Sequence, residues 1–337
     1  MPLKSDLKKI IKSSNKPLIV VLGPSASGKT DLSLKIAKEI DGEIISTDSR
    51  QIYKGMRIAA DTILSKSQKG IPHHMIEIVS PDKTLSLAEY KEEALKIIEK
   101  IYKKGKTPIL VGGTGLYISA IIEGYNIPKI PPNKKLRATL QKEAKEKGNI
   151  YVHEKLKKLD QNTAEKIHPN NLRYVIRAIE VSLAKNKNKI MRAHGASAQR
   201  GEQSGFASCE TKRAYQAKEN PKFDLFIIGI SWPREELYER IAARVDRQVE
   251  RGLVDEIKKL LSKGYKKNLP SMSALGAKEI IPYIKGKKSL EECITILKMN
   301  TKRYAKRQMT WFRRYDNVKW LTPKELKKYI NAKEKNT

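Results

Sequence analysis

Leu18-Ile19-Val20-Val21-Leu22-Gly23-Pro24-Ser25-Ala26-Ser27-Gly28-Lys29-Thr30 decides the fold. Its first five residues form an apolar run of strand length. A glycine-rich turn follows, and then Leu32, Leu34, Ile36, Ala37 and Ile40 recur at helical spacing. Gly23 to Thr30 matches the pattern G-x-x-x-x-G-K-[ST] in the strand, loop and helix context that makes it specific. In such a loop the glycines let backbone N–H groups turn inward around phosphate oxygens, and the helix N-terminus adds favourable partial charge. Gly23, Pro24, Ser25, Ala26, Ser27, Gly28, Lys29 and Thr30 are therefore expected to bind a nucleotide or another diphosphate. Lys29 supplies a cation, and the Thr30 hydroxyl is placed to reach a magnesium ion bound through the diphosphate.

Outward from this loop, short apolar runs recur at residues 43–46, 75–79 and 108–111, and a long helical pattern covers residues 87–104. Strands alternating with helices predict an α/β fold, a P-loop NTPase-like parallel sheet core. After Gly124 the character changes: Pro128, Pro131 and Pro132 lead into charged helical patterns at residues 133–147, 151–159 and 171–185. These predict an inserted all-helical domain over residues 125–189. Residues 190–220, poor in apolar side chains and without a period, are expected to form a mobile loop. A strand at 223–231 restores core character, and helical patterns follow at 234–251, 253–263, 274–284 and 289–314. The expected catalytic core thus comprises residues 16–124 and 221–322, with residues 323–337 as a C-terminal tail.

Composition limits the function classes. The chain of 337 residues carries 69 Lys and Arg against 37 Asp and Glu, a formal charge of +32. That excess exceeds what solubility requires and suits a phosphate backbone, where each neutralised phosphate releases counterions. A lysine-rich proteome would give the same composition. Cys209 and Cys293 lie far apart and imply neither a disulfide framework nor a zinc site. No apolar stretch reaches membrane-spanning length, so the expected location is cytoplasmic.

The phosphate loop does not name its ligand. No N-K-x-D guanine signature occurs, and the run 108–111 ends in Gly112-Gly113-Thr114 instead of a magnesium-holding acid. Small-molecule kinases using ATP, a non-enzymatic P-loop RNA-binding protein and transferases that bind another diphosphate remain. Three further strings bear on the choice: Asp48-Ser49-Arg50-Gln51-Ile52-Tyr53-Lys54-Gly55-Met56, Gly112-Gly113-Thr114-Gly115-Leu116-Tyr117, and Lys302-Arg303-Tyr304-Ala305-Lys306-Arg307-Gln308-Met309-Thr310-Trp311-Phe312-Arg313. With the phosphate loop, they resemble the tRNA dimethylallyltransferase (isopentenyl-tRNA transferase) family from about Lys16 to Tyr315.

The resemblance implies transfer of a dimethylallyl group from dimethylallyl diphosphate to N6 of the adenosine 3′-adjacent to the anticodon, tRNA position 37. Magnesium is the implied cofactor, the tRNA anticodon arm the partner, and a monomer the expected state. Asp48 is the expected general base, because an exocyclic adenine amine is a poor nucleophile and needs a carboxylate to take its proton. A turn or capping aspartate is the plainer alternative. Thr114 matches the family threonine beside the reacting groups, and Arg244 matches the arginine that clamps the diphosphate. Implied tRNA contacts are Asp48, Ser49, Arg50, Gln51, Thr114, Arg137, the string Arg173, Tyr174, Val175, Ile176 and Arg177, and the ridge residues Arg303 and Arg307. Lys306, Arg313 and Arg314 extend that ridge, whereas Trp311 and Phe312 read as core. His73, His74 and His168 read as loop or packing residues. Ala277 stands where the family often has tyrosine, Tyr174 where arginine is common, and residues 190–219 have no counterpart.

Overall fold

In the computed structural model, which describes residues 2–63, 67–128, 130–194 and 223–332, the chain divides into two units. Met1–Ile122 and Pro221–Thr337 form the first, and Glu123–Asn220 the second. The first unit begins with α1 (Pro2–Ser13), β1 (Pro17–Leu22), α2 (Lys29–Glu39), β2 (Gly42–Ser46), β3 (His73–His74), α3 (Leu87–Lys103), β4 (Thr107–Gly112) and α4 (Gly115–Ile122). The second holds α5 (Lys134–Lys147), α6 (Asn149–Leu159), α7 (Gln161–Ala164) and α8 (Leu172–His194). The first resumes with β5 (Asp224–Ile230), α9 (Arg234–Glu250), α10 (Leu253–Ser262), α11 (Ala277–Ile284), α12 (Leu290–Phe312), β6 (Val318–Leu321) and α13 (Pro323–Ile330).

The sheet has six strands in the order β3-β2-β4-β1-β5-β6, and every neighbouring pair is parallel. Alternation along β1 shows why both faces are covered. Leu18, Val20 and Leu22 enter a cluster with Tyr90, Ile98, Ile118 and Phe312, whereas Ile19 and Val21 join Leu7, Leu32, Ile36 and Leu326 on the other face. A third cluster packs Ile52, Tyr53 and Met56 against Val245, Ile257, Ile280 and Leu297 of the C-terminal helices.

Register fixes the position of the site. Leu22 lies beside Gly112 and Gly229, and Ser46 beside Val111. The carboxyl ends of β1, β2 and β4 therefore deliver their loops to one edge of the sheet, where open α/β sheets bind ligands.

The structure corrects several sequence expectations. The strand expected at residues 75–79 is absent because Met75 and Glu77 adopt φ of 62° and 51°, which interrupts extended backbone. The strand in this region is His73–His74, and Val79 makes an isolated bridge to Tyr53. Residues 323–332 are not a tail: Thr322 caps α13, Leu326 and Tyr329 are buried, and the Tyr329 hydroxyl donates to Glu39 Oε2 at 2.6 Å. The N-terminal α1 also packs inward through Leu3 and Leu7. Helix α8 runs to His194, past the expected end of the inserted domain. The remainder of the loop expected at 190–220 lies outside the described residues. No described helix is long and apolar enough to cross a membrane.

Candidate active site

The phosphate loop enters α2 through Gly28, whose φ of 94° is strained for any residue with a Cβ. No side chain caps α2, which leaves its first N–H groups for an anion. The loop is braced from outside. Trp232 Nε1 donates to the Ser27 carbonyl at 3.0 Å, and Arg240 Nε donates to the Ala26 carbonyl at 2.8 Å while its guanidinium lies over the Trp232 ring. Ala26, with its carbonyl so engaged, has a φ of 64°. The Ser27 hydroxyl is buried without a hydrogen-bond partner. All eight loop positions were expected at this site, and Ser25 to Thr30 line a cleft of about 790 Å³.

Lys29 donates to the Pro24 carbonyl at 2.8 Å. Burial, followed by the positive charge of Arg244, pushes its ammonium down to about 8, partly opposed by Asp48 and Asp61. The same interactions show that Lys29, Arg244, Asp48 and Asp61 share one neighbourhood, and all four line the cleft. Arg244 Nε is 3.3 Å from Asp61 Oδ2, and Arg251 Nη1 is 3.2 Å from Asp61 Oδ1. Asp61 escaped the sequence reading because no motif marks it.

Asp48 follows β2. Its Oδ1 accepts the Arg50 N–H at 2.8 Å, the Asx-turn bond of a capping aspartate, and its carboxylate still borders the cleft. The turn role expected of Asp48 is present, and the carboxylate expected to serve as base borders the cleft. The Thr114 N–H donates to the Thr47 carbonyl at 3.1 Å, and Thr114 Oγ1 accepts the Ser49 N–H at 3.0 Å, so Thr114 fastens both neighbours of Asp48. Gln51 accepts the Ser46 hydroxyl at 2.8 Å, and Arg50 Nη1 donates to the Pro270 carbonyl at 2.6 Å. The Tyr304 phenol lies near Asp48, and burial followed by that negative charge pushes it up to about 12. Gln308, buried on α12, touches both the phosphate loop and Gly113. Tyr304 and Gln308 lay within a quoted motif, but only the fold reveals their partners.

Arg303 and Arg307 are exposed on α12, with the Arg307 guanidinium over the Tyr304 ring. Arg313 and Arg314 fall beyond its last residue, so the ridge is shorter than expected. Phe312 is fully buried, and Trp311 packs against the same core, as expected.

In the second unit, Arg137 donates through Nε and Nη2 to the buried Glu180 at 2.7 and 2.6 Å. Arg177 Nη1 donates to Glu180 at 3.2 Å and Nη2 to the Ile130 carbonyl at 3.0 Å. Val175 and Ile176 are buried with Leu140, Val152 and Leu156, so their side chains serve packing and not the surface assigned to them from sequence. Arg173 and Tyr174 are exposed.

No group of three or more His, Cys, Asp or Glu able to hold a metal occurs among the described residues. His74 Nε2 meets the buried Glu43 of the neighbouring strand at 2.8 Å, whereas His73 Nδ1 meets the Ile71 carbonyl at 2.8 Å and His168 accepts the Asn170 N–H, both local contacts. The cleft offers hard oxygen donors in Thr30, Asp48 and Asp61. That set fits magnesium taking most of its ligands from phosphate oxygens and water.

Comparison with known proteins places this arrangement. The family model described as IPP transferase matches residues 51–315. The chain is 47% identical over 305 residues to a tRNA dimethylallyltransferase of Alkaliphilus oremlandii, covering 90% of this chain and 91% of that protein. Another, from Acetivibrio thermocellus, is 46% identical over 91% of this chain and 92% of its own length. Among solved structures, the tRNA isopentenylpyrophosphate transferase of Bacillus halodurans is similar with a TM-score of 0.64 at 37% identity, covering 94% and 95% of the two chains. A eukaryotic dimethylallyltransferase solved acting on tRNA has a TM-score of 0.71 at 26% identity, covering 91% of this chain and 74% of its own. From the family model's match over most of its length and its identity to these relatives, the chain belongs to the IPP transferase family.

Proposed function

We propose that this protein transfers the dimethylallyl group of dimethylallyl diphosphate to N6 of the adenosine 3′-adjacent to the anticodon, tRNA position 37, giving N6-(dimethylallyl)adenosine and diphosphate in the cytoplasm. The observation that carries this reading is one cleft, at the carboxyl edge of the parallel sheet, lined by a braced phosphate loop, by Lys29 and Arg244, and by the Asp48 carboxylate.

As the carbon–oxygen bond of the donor breaks, negative charge grows on the diphosphate. Loop N–H groups, Lys29 and Arg244 stabilise it as preorganised donors and charges. Asp48 accepts the proton that the N6 amine loses as the new carbon–nitrogen bond forms. Thr114 keeps Asp48 in place through Thr47 and Ser49. The adenosine must leave its stack to be reached, and exposed cations of α12 and the second unit are candidates for gripping the surrounding phosphates. Magnesium, when bound through the diphosphate and Thr30, would neutralise leaving-group charge.

Incubation with unmodified tRNA, labelled dimethylallyl diphosphate and magnesium is expected to label a single adenosine and release one diphosphate per transfer. Absence of label across a salt titration, together with phosphate transfer from ATP, would replace this reading with a kinase. Salt-sensitive tRNA binding without chemistry would replace it with a binder.

A further inference from the structure

Gln308 is 5% exposed, and both ends of its amide are hydrogen-bonded. Its Oε1 accepts the Ser25 N–H at 2.9 Å and the Ser25 hydroxyl at 3.3 Å, while its Nε2 donates to the Gly113 carbonyl at 2.8 Å. The partners fix the orientation of the amide. A backbone N–H can only donate and a carbonyl can only accept, so a flipped amide would lose both backbone bonds.

One side chain thus ties the loop after β1 to the loop after β4. The tie is close: a Cβ on Gly113 would sit 2.1 Å from Gln308 Nε2, so any larger residue there would have to push the amide aside. The path continues through Thr114, which bonds to Thr47 and Ser49 on either side of Asp48. Gln308 itself is held rigidly, since Ala305 and Phe312 on the same helix are fully buried.

We propose that Gln308 is a positioning residue for group transfer, setting the distance between the diphosphate cradle and the base that serves the incoming amine. This inference rests on the prenyl-transfer reading above. Bringing two reactants into line is sensitive to displacement, and about 1 Å costs on the order of 10²-fold in rate. Gln308 touches neither reacting atom in this scheme, so its loss must appear in turnover and not in the affinity of the cradle.

The test compares the full chain with Gln308→Met, which keeps the length and removes both ends of the tie, and with Gln308→Glu, which keeps the acceptor for Ser25 and turns an oxygen toward the Gly113 carbonyl. Steady-state prenylation of tRNA, calorimetric binding of magnesium diphosphate and thermal unfolding are measured for each. The expected result for Gln308→Met is a kcat lowered about 10²-fold, with diphosphate affinity within about threefold and the melting temperature little changed. Gln308→Glu must also lower kcat, whatever it does to KM. A kcat within threefold of the parent in both variants overturns the proposal. So does a parallel fall of kcat, diphosphate affinity and melting temperature, which a purely structural glutamine gives. A parent chain that binds magnesium diphosphate yet never prenylates tRNA overturns the functional reading together with this one, whereas an active parent with an active Gln308→Met overturns this one alone.

Discussion

The arginines of the two units are alike in sequence and opposite in use. In the second unit Arg137 and Arg177 converge on Glu180, a carboxylate 4% exposed and held below the usual carboxylate range by those guanidinium groups and the Asn133 N–H, against the cost of its burial. Both are paired with that one buried acid. In the first unit Lys29 and Arg244 line an open cleft where Asp48 and Asp61 offset their charge only in part, and burial with Arg244 pushes Lys29 down to about 8. Charge there is kept at an electrostatic cost that a bound anion would relieve. A basic residue signals ligand binding when the fold leaves its neutralisation incomplete, and signals architecture when a buried acid completes it.

The largest effect expected from breaking this contrast is at Asp48. Asp48→Asn is isosteric and keeps the turn, yet should lower kcat about 10³-fold by removing the proton acceptor, with tRNA affinity in filter binding nearly unchanged. Glu180→Ala strands two guanidinium groups and should destabilise the protein by about 3 kcal/mol in chemical denaturation, with no loss of diphosphate affinity in the remaining folded protein. Arg244→Ala should show the converse, a fall of about 10²-fold in kcat/KM for the donor at an unchanged melting temperature.

A smaller effect follows from pH. Lys29 has a depressed pKa in the free protein, so it is charged below about 8 and loses its proton as pH rises through that value. A bound diphosphate favours the charged form. Donor affinity is therefore full below about pH 8 and should weaken above it, roughly tenfold per unit at most, with proton uptake on binding near pH 8. Calorimetry in buffers of different ionisation enthalpy measures that uptake.

What could be read in advance follows the range of the determining interaction. The phosphate loop, Asp48 and Thr114 are written in contiguous strings, because strand, turn and helix N-terminus are local structures. Gln308 acts on Ser25 across 283 residues of sequence, and Arg240 on Ala26 across 214, so no local pattern could have named their partners. Val175 and Ile176 were misassigned although a signal was present. Leu172, Val175, Ile176 and Ile179 recur at helical spacing and predict an inward stripe, leaving Arg173 and Tyr174 outward. The β6 and α13 segment was missed because it is short: four strand residues and eight amphipathic helical ones read as core only once Leu326 and Tyr329 meet the sheet.

The contrast is tested most directly by one paired measurement, single-turnover prenylation of saturating tRNA by Arg244→Ala and Arg177→Ala, with the unfolding midpoint of each. Arg244→Ala should lose about 10²-fold in transfer rate and keep its midpoint, while Arg177→Ala should lose stability and keep the rate in its folded fraction. The reverse pattern, with Arg244 holding the fold and Arg177 driving the transfer, would contradict the assignment of the cleft as the site of chemistry.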